Sequence, residues 1–89
     1  MKTRKIQIIN KLGLHARAAA KVVHRANDFE SEIFLGVDGD EVNAKSILGL
    51  LTLAATQGMP LTLRVDGPDE DSAIEAITDL FEDRFGEGE

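Results

Sequence analysis

The stretch IQIINKLGLHARAAAKVVHRA, residues 6–26, changes its hydrophobic period part-way along, and that change decides the fold class. Ile6 and Ile8 alternate with Lys5 and Gln7, the period-two signature of a strand with one face buried. Asn10 to Gly13 supplies turn residues. From Ala16 the period becomes helical: Ala16, Ala19, Ala20, Val23 and Ala26 share one side, with Arg17, Lys21, His24 and Arg25 on the other. A strand, a turn and an amphipathic helix in immediate succession point to a mixed α and β architecture.

Working outward, Ser31 to Val37 returns to alternation, with Ile33, Leu35 and Val37 on one side. Asp38-Gly39 suits the positive backbone angles of a tight hairpin, so a short strand over Glu41 to Asn43 is expected next. Ser46 is a favourable helix N-cap, and the apolar run Ile47 to Ala55 reads as a second helix, weakened by Gly49 and ended by Gly58 and Pro60. Leu61, Leu63 and Val65 alternate with Thr62, Arg64 and Asp66 as a fourth strand. Gly67-Pro68 then opens a third helix, with Asp69, Glu70 and Asp71 complementing the dipole of its first turn and Ile74, Ile77, Leu80 and Phe81 as its buried stripe. Gly86 to Glu89 reads as a frayed tail, and Asn10 and Asn43 as turn or strand-end residues. The order strand, helix, strand, strand, helix, strand, helix predicts an α+β fold. Its helices cover one face of a mainly antiparallel sheet, an open-faced two-layer sandwich.

Composition narrows the function. With 89 residues, a single compact domain over residues 1–89 is expected, without room for a large enclosed active site. A formal net charge of -6 repels phosphate backbones and anionic headgroups, so neither nucleic acid nor membrane is expected as a partner. The absence of cysteine removes thiol nucleophiles and thiolate metal sites, and two histidines without an obvious third ligand give no metal centre. Met1 to Lys5 is basic, but no apolar signal core follows and no stretch approaches membrane-spanning length, which reads as a cytoplasmic protein.

The chemistry concentrates in Asn10 to Lys21, where His15 stands between a turn and the start of a helix. A helix start offers backbone N–H groups without intrahelical acceptors and the positive end of the macrodipole, a favourable setting for a phosphoryl group. Arg17 adds a planar cation suited to charge-assisted hydrogen bonds with phosphoryl oxygens. Gly13 lets the chain turn sharply and Ala16 leaves the imidazole uncrowded, so a phosphohistidine on another protein could approach in line. That chemistry needs no cofactor, metal or separate base in the chain. Taken in isolation, His-Ala-Arg is more often an ordinary solvated helix start with no specific task.

Gly13-Leu14-His15-Ala16-Arg17 resembles the phosphorylation-site motif of the histidine-containing phosphocarrier (HPr) family, and Lys45-Ser46-Ile47-Leu48-Gly49 resembles its second signature at the right spacing. The similarity extends over essentially the whole chain. It implies four antiparallel strands covered on one face by three helices, and a carrier of transient phosphohistidine rather than a self-contained enzyme. By that resemblance the donor is enzyme I, charged by phosphoenolpyruvate, and the acceptor an EIIA-type protein. His15 is then the phosphoacceptor, through Nδ1, and Arg17 its electrostatic partner. Ala18 departs from the pattern, standing where many members carry proline. The Ala18-Ala19-Ala20-Lys21 stretch and the closing Arg84 to Glu89 resemble proteobacterial carriers, nitrogen-branch (NPr) members included, which implies regulatory duty.

Helix capping explains Ser46 without any kinase. The resemblance adds a second role, since Ser46 matches the serine phosphorylated by HPr kinase in some bacteria. The second helix is apolar on more sides than it can bury, so Leu50, Leu53 and Ala54 are assigned inward and Ile47, Leu48 and Leu51 outward, as a partner-docking patch. Arg17, Lys21, His24 and Arg25 flank it with positive charge, suited to acidic partner surfaces. His24, mid-helix, lacks the free N–H groups available to His15 and is read as a surface residue. Two competing classes remain: a non-catalytic regulatory module of the same fold, and an acylphosphatase-like enzyme, against which stand the missing glycine-rich anion loop and the extra final helix.

Overall fold

The structure, a computed structural model, describes residues 1–86. The elements follow in the order β1 (Lys2–Gln7), α1 (Ala16–Ala26), β2 (Glu32–Val37), β3 (Asp40–Asn43), α2 (Ile47–Thr52), β4 (Pro60–Asp66) and α3 (Glu70–Glu82), with a 3-10 turn at Arg84–Gly86. The strands form one antiparallel sheet in the order β1-β4-β2-β3. This is the open-faced α+β sandwich expected from the alternation of periods.

Period-two strands place Ile6, Ile33, Leu35, Leu61, Leu63 and Val65 on the covered face, where all are buried. Against them pack Ala19 and Val22 of α1 and Ile74, Ile77 and Phe81 of α3. Each fully buried aliphatic side chain contributes roughly 1.5–3 kcal/mol. The uncovered face carries one aromatic, Phe34, shielded by Arg64, whose guanidinium lies 4.4 Å above the ring. That guanidinium is held by two 2.7 Å bonds to Glu41. The β2–β3 hairpin turns through Asp38 and Gly39 at φ 52° and 88°, the positive angles anticipated for this dipeptide.

Four local expectations are corrected. The buried stripe of α1 is Ala18, Ala19, Val22 and Ala26, with Ala16 and Ala20 exposed. Alanines on several sides leave the phase of this helix ambiguous, and buried Leu14 settles it by continuing the four-residue spacing Leu14, Ala18, Val22, Ala26. Helix α2 ends at Thr52 instead of running to Ala55, because the chain turns back through Ala54 at φ 51°, leaving Ala54 exposed while Leu50 is buried and Leu53 half-buried. Asp69 is more than a dipole complement: its carboxylate accepts from the backbone N–H groups of Glu30 and Ser31 at 2.9 and 3.0 Å and from the Ser31 hydroxyl. Finally, Gly86 closes an ordered 3-10 turn in which Phe85 is 1% exposed and packs edge-on to Phe81 at 4.9 Å. Residues 87–89 of the expected tail lie outside the described residues.

Sheet pairing positions the site. Antiparallel β1 and β4 set Gln7 opposite Pro60, so the segment leaving β1 must run beside the segment entering β4. The two are laced by Ile8 N–H to Met59 O at 3.0 Å, Gly58 N–H to Ile8 O at 2.7 Å and Leu14 N–H to Ala55 O at 3.0 Å. The start of α1 thereby comes against the end of α2.

Candidate functional site

His15 is the N-cap of α1, extended at φ -77° and ψ 178°, and its carbonyl accepts the first helical hydrogen bond from Ala19 N–H at 2.8 Å. The N–H groups of Ala16, Arg17 and Ala18 therefore precede the helical ladder and carry the positive end of its dipole. The His15 side chain is half-buried at this position and makes no side-chain capping hydrogen bond to α1. Arg17 is exposed in the first turn, and Ala18, buried there, keeps the backbone N–H that proline would lack.

The approach to His15 is rigidly built. Gly13 N–H donates to Asn10 O at 3.3 Å, closing a four-residue turn, and the buried Asn10 side chain donates from Nδ2 to Gly13 O at 2.8 Å. Asn10 is thus a turn residue, as its type suggests, but one sunk in the interior. Asn43 serves its own turn by accepting from Lys45 N–H at 2.8 Å.

Helix α2 packs against α1. Ser46 caps α2, its hydroxyl accepting from Gly49 N–H at 3.1 Å. Ile47, Leu48 and Leu51 are 43, 75 and 39% exposed, the outward assignment made from the pattern. Along α1, Arg17, Ala20, Lys21, His24 and Arg25 line a shallow depression of about 520 Å³ floored by Leu80 of α3. The basic residues are not equivalent. Lys21 Nζ donates to the Phe85 carbonyl, and Arg25 pairs with Asp28 at 2.8 Å and covers the Phe29 ring at 5.1 Å. Sequence reasoning missed Leu12, 61% exposed in the turn before His15, whose signal was an apolar residue at a turn centre.

With this geometry in place, residues 2–83 match the family model described as PTS HPr component phosphorylation site. The chain belongs to the HPr family. It is 51% identical to the phosphocarrier protein HPr of Cupriavidus necator over 89 residues, all of both chains. It is also 51% identical to that of Xylella fastidiosa over 82 residues, 92% of each. Among solved structures, HPr-C-His from Thermoanaerobacter tengcongensis superposes with a TM-score of 0.94 at 48% identity, covering 98% of each chain. The protein is therefore an HPr-type phosphocarrier of the phosphotransferase system, and its partners are enzymes of that system. No helix among the described residues is long and apolar enough to cross a membrane.

Proposed function

We propose that His15 is the phosphoacceptor, charged by phospho-enzyme I and discharged to an EIIA-type protein in the cytoplasm, with residues 1–89 acting as one domain. The observation that supports this reading is the placement of the His15 imidazole at the N-cap of α1, beside the leading N–H groups of the helix and with Arg17 in its first turn. Nδ1 of the neutral ring attacks phosphorus in line. The new P–N bond forms as the P–N bond to the donor's imidazole breaks, and the donor ring leaves with the electron pair. The N–H groups and Arg17 stabilise the charge on the phosphoryl oxygens during transfer and on the product. Reversing the same step on an acceptor discharges His15.

Ile47, Leu48 and Leu51, flanked by Lys21 and His24, form the docking surface in this reading. Phosphorylation of Ser46 by an HPr kinase would put negative charge on that surface without unfolding α2, since a phosphate is tolerated at a helix N-terminus.

The reading is tested by incubating the protein with its enzyme I and phosphoenolpyruvate and measuring intact mass before and after mild acid. A single acid-labile phosphoryl adduct, absent from His15→Ala, is expected. An unmodified wild type would favour a non-catalytic module, and steady phosphate release from an acyl phosphate would favour an acylphosphatase.

A further inference from the structure

Among the described residues, the large hydrophobic side chains left exposed are Met1, Leu12, Ile47, Leu48 and Leu51. Three of these belong to α2, and Leu12 lies in the turn that leads into α1, three residues before His15. We propose that Leu12 is a specificity-determining contact for the phosphoryl donor, inserting against an apolar group of the donor protein when His15 is charged.

Local structure does not account for this residue. Lys11 and Leu12 are the central residues of the turn closed by Gly13 N–H to Asn10 O, where small polar residues are the natural choice. Leu12 is 61% exposed and contributes little to the core. A leucine here costs solubility and returns no packing, unless something covers it.

Placement identifies the cover. Three residues of chain span at most about 10–11 Å, so Leu12 stays within that distance of His15. A protein interface of about 800 Å² per partner extends about 16 Å from its centre, so a protein delivering phosphate to His15 covers Leu12 as well. The turn is also pre-ordered, clamped by Asn10 Nδ2 to Gly13 O at 2.8 Å and tied to the α2 exit by Leu14 N–H to Ala55 O at 3.0 Å. A preordered apolar tip loses little conformational entropy on binding, which is the property of an anchor.

The inference rests on the phosphocarrier reading and is tested with the full chain, its enzyme I and phosphoenolpyruvate, comparing wild type, Leu12→Ser and Leu12→Met. Serine suits a turn, so folding is preserved. KM for the carrier is expected to rise about tenfold in Leu12→Ser with kcat within about twofold, and to return near the wild-type value in Leu12→Met, at unchanged Tm. An unaltered KM in Leu12→Ser overturns the proposal while leaving the carrier reading intact, as does a parallel fall in kcat and Tm, which would make Leu12 a structural residue. A wild type that accepts no phosphate overturns both.

Discussion

Gly13 lies so close to Ala55 that a Cβ added to it would stand 2.6 Å from the Ala55 carbonyl oxygen and 3.0 Å from Thr56 Cα. Gly13 also sits at φ 69°. Two residues before His15, the chain entering α1 is therefore seated directly on the chain leaving α2. The position of His15 is set as much by Ala55 as by its own helix.

Gly13→Ala is expected to destabilise the protein by about 2 kcal/mol or more, combining an unfavourable left-handed alanine with a backbone clash that no rotamer relieves. Urea denaturation measures the loss. Transfer at His15 should slow even where the variant remains folded, and wild-type stability and kinetics together would contradict the close approach.

Phe85→Ala is expected to cost about 3 kcal/mol, since Phe85 is 1% exposed against Phe81 near the chain's end. A change of only a few tenths of a kcal/mol in the same denaturation experiment would contradict the packing of Phe85 on Phe81.

Ser46→Ala is expected to lose the cap on α2, worth about 1 kcal/mol, while transfer rates at saturating carrier stay unchanged. Ser46→Asp keeps a capping oxygen and is expected to retain stability while raising KM for enzyme I. Equal kinetics in both variants would leave Ser46 with its cap alone.

Asp69 gives the fold a pH dependence of definite sign. The Ser31 hydroxyl first, and then the Glu30 N–H, hold its carboxyl below the ordinary 3.8. A depressed folded-state value means that this stabilisation is complete above 3.8 and is lost as pH falls through the folded value. Asp69→Ala is therefore expected to lower Tm at neutral pH, with the gap from wild type closing below that point. A gap independent of pH between 2 and 7, followed by calorimetry, would rule out the ionised carboxylate as its source.

Much of this was legible in the residues. Strand alternation at Ile33 and Leu35 and at Leu61, Leu63 and Val65 survived folding because a two-residue period leaves one choice of face. The Asp38-Gly39 turn and the Ser46 cap were readable because their chemistry is local. Helix phase was not: in α1, alanine fits either side, and only Leu14 and the sheet beneath chose Ala18 and Val22 over Ala16 and Ala20. The turn at Ala54, the tie from Asp69 to Ser31 and the burial of Phe85 were equally hidden, since each depends on a residue distant in the chain.

The sequence by itself determined the element order and the candidate nucleophile and cation, His15 and Arg17, because periodicity and capping act over a few residues. Tertiary structure alone decided that the start of α1 meets the end of α2. Nothing near His15 or Ala55 encodes that meeting; it follows from β1 pairing with β4, a hydrogen-bonded register between strands more than fifty residues apart that carries their neighbouring loops together.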